Sequence, residues 1–513
     1  MSGGIFDNYL HDHKMRNEPL DIKPFHTVLG KDDKDILKWL TSASESLMKH
    51  QNSRHHWLKQ NLAAYRGLQR GYLNRSTPRR EHLPMTKVDR LVVNHLYDMV
   101  ETRVAQLSRL KPSILVLPKN DEFQDKNAAR ASKLLIDHLF ELNNFDDLER
   151  AVQRHKKIFG ESYLFIEWDD KKGEKHPDAG TEVLDEESGE VLKVPENLKV
   201  GDVCYELEVP WRVLLEQKEC FDRVNYAFRI KVEHVDDVKR EYPDKKESIK
   251  TGDSTMIFDY STLENINMKD SLLVFEMYHK STDSVEGGYY AKFTKDVILE
   301  HGKSKYSHGC FPFERITDLD IPHELYGAAQ LDQVREIQKE HNNLSTLISK
   351  NIWLAAHPKW LLPKGACKIE ALGNDATIVQ YQGPVAPQMA QVAPNSAEVY
   401  GFRDKLKEEM EQIYAVHGVS RGQPPSGVTA AVALQFLNEQ EAERASDEIA
   451  KKNDFVKKVA RKTLSVAGDY YEMDDGRTMR ILGKENKYLL RHFDAANLSK
   501  PYDIKVDLGN AIA

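Results

Sequence analysis

From Leu325 to Trp353 the chain carries one uninterrupted helical pattern, with Leu331, Val334, Ile337, Leu344, Leu347 and Ile348 on a single apolar stripe. At 1.5 Å per residue such a helix is about 40 Å long. A stripe of that length has to be buried, and a second helix lies close by in the sequence. "SAEVYGFRDKLKEEMEQIYAVHG" reads as a helix over 396–417, with Ser396 as N-cap and Gly418 as its stop. Between the two runs lies a stretch punctuated by Pro and Gly, 354–395, with strand candidates at Trp360–Leu362 and Ala376–Tyr381. After it comes "GVSRGQPPSG", and then the longest helical run of all, Val428 to Tyr471. The order is therefore long helix, small β insert, long helix, loop, very long helix.

The first three hundred residues are organised differently. Helical periodicity dominates at first: Ile36, Leu40, Leu47 and Met48 share a face, as do Leu58, Leu62, Tyr65 and Tyr72, and Leu96, Val100, Val104 and Leu107. "SILVLP" reads as a buried strand, and two further helices follow, the second stopping at Gly160. The period then changes to two in "ESYLFIEWDD", a hairpin turns near Ser188 and Gly189, and β-rich runs continue to about Leu299. The fold class expected is α+β. At 513 residues the chain has room for two to four domains. With 40% hydrophobic and 30% charged residues it reads as soluble and globular. A net charge of −8 argues against a protein built mainly to grip nucleic acid by neutralising phosphates. No basic flank with an apolar run opens the chain and no window of eighteen apolar residues occurs, so neither a secretory signal nor a membrane helix is expected. Four cysteines without a C-x-x-C pair suggest a reducing compartment, with neither a zinc site nor a disulfide framework.

Candidate catalytic motifs fail on their surroundings. "GVSRG" spells G-x-S-x-G, which would make Ser420 a hydrolase nucleophile. That elbow needs a strand before the serine and a helix straight after it, whereas here a helix precedes and two prolines follow. "PHELYG" has Gly327 where a second zinc-binding histidine would stand after His323. His11 and His13 lie near the terminus, and His55 and His56 are adjacent on a helix and so do not share a face. No phosphate-binding G-x-x-x-x-G-K-[ST] is present, and the acidic pairs Asp169/Asp170 and Asp185/Glu186/Glu187 read as solvated turns. No catalytic constellation, cofactor site or metal site is expected.

Several passages together resemble the portal (head-to-tail connector) proteins of tailed bacteriophages. They are "VNHLYDMVETRVAQLSRLKPSILVLP", "AVQRHKKIFGESYLFIEWD", "VEHVDDVKREYPD" and, most strongly, "DLDIPHELYGAAQLDQVREIQKEHNNLSTLISKNIWLAAHPKWLLPKGA", which carries the polar spacing Gln338 and Asn342. "PSGVTAAVALQFL" is similar to the passage that follows the tunnel loop in that family.

The resemblance implies a ring, commonly a dodecamer, around a channel for double-stranded DNA at one capsid vertex, with packaging and later ejection through it and no enzymatic activity. It implies a flexible N-terminal arm (1–30), a wing (31–324), stem helices 325–353 and 396–417, and a clip (354–395). It further implies a tunnel loop (418–427) and a long wing helix (428–471); the chain departs from the family in 472–513, which reads as a C-terminal β-like tail or truncated crown region where many portals have a helical crown. Ser420, Arg421, Gln423, Arg335 and Lys339 would meet DNA. Trp360, Lys364, Lys368, Asp375 and Gln380 in the clip would meet the terminase large subunit and then a tail adaptor, with major capsid and scaffolding proteins as further partners and no membrane. The protein would sit in the virion, and in the host cytoplasm during assembly. Isolated basic residues on a net-negative chain suit DNA that must slide, because each neutralised phosphate would strengthen sticking. The alternatives are another head–tail assembly protein, such as an adaptor or internal protein, or a serine hydrolase using Ser420.

Overall fold

The amphipathic N-terminal patterns fold into α1 (Asp33–His50), α2 (Asn52–Tyr65) and α3 (His95–Arg109). The computed structural model describes residues 22–68, 91–109, 112–118, 123–173, 182–184, 191–193, 199–249, 255–259, 264–356, 359–361, 384–385, 388–390, 395–416, 445–471, 477–482, 488–493 and 503–508. The chain continues with β1 (Pro112–Leu117), α4 (Phe123–Leu142), α5 (Phe145–Phe159), β2 (Glu161–Asp169), the hairpin strands β3 (Glu182–Leu184) and β4 (Val191–Lys193), and β5 (Asp202–Glu208). Next come β6 (Val213–Leu215), β7 (Tyr226–His234), α6 (Val235–Glu241), β8 (Thr255–Asp259), β9 (Glu264–Met268), β10 (Ser271–His279), β11 (Tyr289–Phe293), β12 (Ile298–Lys303) and β13 (Phe313–Thr317). The last third holds α7 (Leu331–Ala356), β14 (Lys359–Leu361), β15 (Gln388–Ala390), α8 (Ala397–Tyr414), α9 (Ser446–Tyr471), β16 (Arg477–Leu482), β17 (Tyr488–Phe493) and β18 (Asp503–Leu508).

Two units emerge. The first comprises 1–62, 100–330 and 418–513, and the second 63–99 and 331–417. The two larger sheets of the first unit are antiparallel, one ordered β12-β11-β10-β7-β6 and the other β13-β2-β5, and two-stranded ladders such as β1-β18 and β8-β9 accompany them. β2 has no solvated face in its first half: Tyr163, Leu164, Phe165 and Ile166 are all fully buried. Leu164 and Ile166 enter a core with Leu135 and Leu139 of α4, Val152 of α5 and Val459 and Leu464 of α9. Tyr163 and Phe165 enter another with Val213, Leu215, Phe311 and Phe313.

Three expectations are corrected. Residues 22–30 are not a free arm, because Phe25 is buried against Trp39 and Tyr289, with ring centroids 4.9 and 4.8 Å away, and the Trp39 indole donates to the Lys23 carbonyl. β1 is not buried on both faces. Ile114 points inward while Leu115 and Leu117 are exposed, and its ladder partner is β18. The long helix starts at Leu331 rather than Leu325, since the Leu319–Ala328 bridge holds the preceding residues in a turn and Leu325 is buried in the β2–β13 core.

Candidate functional site

The second unit is built on α7 and α8. Asn351 donates to Asn395 at 2.6 Å, and His341 lies in the field of Arg403 and Lys407, so the two helices run antiparallel as a hairpin. The inward face of α7 is unlike the apolar stripe its sequence suggests. Leu331, Val334 and Ile348 are buried as expected, but so are Gln338, His341, Asn342 and Ser345, while Leu347 is 60% exposed.

The buried amides on that face have partners. Gln338 Nε2 donates to the Val93 carbonyl at 2.7 Å and its Oε1 accepts from the His95 N–H at 3.1 Å. Asn342 Oδ1 accepts from the Val93 N–H at 3.1 Å and from Gln338 at 3.0 Å, and Thr346 reaches the Leu91 carbonyl at 3.5 Å. Spaced one turn apart on the helix, these side chains clasp the extended strap 91–95 by hydrogen bonds to its backbone. Asn94 then starts α3, its Oδ1 accepting from the Tyr97 N–H, while its amide donates to the Tyr65 carbonyl. Gln338 and Asn342 stand out in the sequence, but a clasp on residues some 245 positions earlier does not.

The solvent face of α7 carries Glu336, Lys339, Glu340, Asn343, Leu347 and Lys350. Lys339 stands there, paired with Glu336 at 3.3 Å. Arg335, expected beside it as a DNA contact, is only 7% exposed and lies 3.9 Å from both Asp332 and Glu336. Burial pulls its pKa down against the pull of those acids. The guanidinium is thus turned towards the subunit's interior. Trp360 lies in β14, which pairs with β15. That partner is a segment the sequence did not mark as a strand, and the strand expected at Ala376–Tyr381 lies outside the described residues, as do Lys364, Lys368, Asp375, Gln380, Ser420, Arg421 and Gln423.

In the first unit, two buried carboxylates grip the turn that precedes α7. Glu161 is fully buried and takes Arg54, Arg315 at 2.9 Å, the Tyr163 hydroxyl at 2.9 Å and the Gly327 N–H at 3.4 Å. Burial alone would push its carboxyl up, but Arg54 and Arg315 outweigh that and hold it below the usual carboxylate range. Asp318 takes Lys157 at 2.8 Å and the Gln330 N–H at 2.9 Å. Lys157 also reaches Glu448 of α9 at 3.0 Å, and Arg103 joins the same carboxylate. Against the cost of burial, those two cations bring Glu448 down to about 2. Neighbouring Lys156, fully buried beside Lys157, falls to about 8. Gly160 closes this region: its φ is 83°, and Gly327 passes so near that neither residue has room for a side chain. The sequence marks both glycines, but their contact joins distant segments.

Among the described residues no helix is long and apolar enough to cross a membrane. A family model for the phage P22-like portal protein matches residues 79–491. No curated protein matches the chain.

Proposed function

The chain belongs to the phage P22-like portal protein family, and from that premise we propose that about twelve copies close into a ring at one capsid vertex. Double-stranded DNA is packaged through the ring and later leaves through it. In this reading α7 and α8 are the stem, the β14–β15 insert is the clip that meets terminase and then the tail adaptor, and α9 belongs to the wing.

The observation that supports this reading best is where apolar side chains are left uncovered. Leu347, Ile352 and Trp353 on α7 and Phe402 and Ile413 on α8 are exposed, at 60% for Leu347, 57% for Ile352 and 51% for Phe402. Leu331, Val334 and Ile348 on α7 and Leu406, Met410 and Tyr414 on α8 are buried, so the exposed residues lie outside the hairpin's own packing. A long two-helix hairpin with large residues facing water fits a surface completed by a neighbouring copy, as in oligomers that bury their apolar faces on assembly. The exposed charges along α7, Glu336, Lys339, Glu340 and Lys350, alternate in sign, so they lack the dense positive charge that would hold a polyanion tightly. Ser420, Arg421, Gln423 and Lys339 are the proposed DNA contacts, with Arg335, buried within the single subunit, the least accessible of the expected set.

Negative-stain imaging with native mass measurement tests the proposal. Closed rings with an open centre and a mass about twelve times 59.0 kDa are expected. A monomer that forms no ring at any ionic strength would refute it. The double substitution L347D/F402D should shift the mass distribution towards monomer while the subunit stays folded.

A further inference from the structure

Where the strap meets α7, two histidine rings touch. His95, at the end of the strap and the start of α3, sits edge-on to His341 with ring centroids 4.8 Å apart. His341 is 4% exposed. From α8, Arg403 and Lys407 face it, with Asp404 as the one opposing charge, and Asp404 is already engaged by Arg403 at 2.6 Å. Its neighbours on α7 are Gln338 and Asn342, the two amides that hold the strap. The closure of the strap and a titratable ring buried beside it therefore share one turn of helix.

We propose that the His95–His341 pair is an acid-operated release for the strap 91–95. With both rings neutral, the edge of one can rest on the face of the other, and the clasp closes. A proton on His341 puts a third cation beside Arg403 and Lys407 and charges a ring that is itself buried. A proton on His95 puts positive charge at the N-terminus of α3, where the helix dipole opposes it. Either event sets the two rings against each other, and the least costly relief is for His95 to leave. When it leaves, Val93 and His95 lose Asn342 and Gln338 and turn to water.

The direction of the pH effect follows from the burial of His341 beside Arg403, which lowers its pKa below the ordinary histidine value against the opposing pull of Asn342 and Asp404. The closed form is therefore favoured above the ordinary histidine range and weakens as pH falls below it. The device lies within one subunit and does not depend on ring closure.

Hydrogen–deuterium exchange on the full-length chain, corrected for intrinsic rates, tests this at pH 7.5 and 5.5. The amides of Val93 and His95 should lose protection by about tenfold on acidification, the effect of one unit in an equilibrium of this kind. His341→Gln should cut the change to at most the part that His95 alone causes, because the glutamine does not titrate. Should that variant fail to fold, His95→Gln is read in the same way. Unchanged protection in the parent chain would overturn the proposal, and so would an equal loss in the variant. A parallel loss at the amides of α5 would also overturn it, because the opening would then be global.

Discussion

Gly160 ends α5 with φ at 83°, and a Cβ there would lie 2.6 Å from the carbonyl carbon of Ala328, 2.7 Å from the Ala329 nitrogen and 2.7 Å from the Gly327 oxygen. Alanine at this position therefore meets two independent penalties. The left-handed backbone costs an L-residue about 1–2 kcal/mol. The clash is with backbone and not with a side-chain tip that could swing aside, so the 327–329 segment must retreat by about 1 Å, an overpacking that typically costs about 1–3 kcal/mol. That retreat also pulls the Gly327 N–H from Glu161 and disturbs the 2.8 Å bond from the Asp318 N–H to the Gly160 carbonyl. Gly160→Ala should thus destabilise the first unit by about 2–5 kcal/mol. The assay is denaturant unfolding followed by tryptophan fluorescence, with exchange at 318–330 as the local readout. Gly401→Ala is the control: no atom lies within 4 Å of its would-be Cβ, it is mid-helix in α8, and alanine there should stabilise by about 0.5–1 kcal/mol. A loss below about 1 kcal/mol for Gly160→Ala, or no local change at 318–330, would refute the close-approach argument.

Three further substitutions follow from the same structure. Glu161→Gln leaves Arg54 and Arg315 facing a neutral amide and should cost about 3–5 kcal/mol at pH 7, read as a shifted unfolding midpoint. Because the Glu161 carboxyl is held low, its contribution is present above the ordinary carboxylate pKa and disappears as pH falls through the lower folded value, so the gap between parent and variant should close in acid. His155 is pulled down to about 4 by burial and then by Arg154, so the unfolded chain takes up the proton first as pH drops from 6.5, and stability is lost between 6.5 and 4; His155→Gln should remove up to about 3 kcal/mol of that slope in a urea series across pH. Gln338→Leu strips the clasp from the Val93 carbonyl and the His95 N–H and should cost about 2–4 kcal/mol, with exchange rising at 91–95 before anywhere else.

The helices of the hairpin were legible because 3.6-residue periodicity over four or more turns is hard to produce otherwise, and α8 begins within a residue of its expected N-cap Ser396. The start of α7 was not legible. Leu325 and Tyr326 continue the apolar pattern, yet they serve the core around β13. Burial of Gln338, His341 and Asn342 could not be read either, because hydropathy assigns polar residues to water unless the partner is known, and the partner strap lies some 245 residues away. Glu161 posed the same problem, since its cations arrive from 107 and 154 residues off. An acid opening the strand directly after a glycine and just before the apolar run Tyr163–Ile166 was the local sign. Arg335 and Lys339, four residues apart, looked equivalent; only packing shows that one points inward.

β2 has one further consequence, for how the molecule comes apart. Leu164 and Ile166 belong to one core and Tyr163 and Phe165 to another, on alternate sides of a single strand. Neither core can be lost without exposing the back of the other, so β2 acts as a shared wall. Heating should therefore melt the two cores together in one calorimetric transition, and a force applied to either should be carried directly to both.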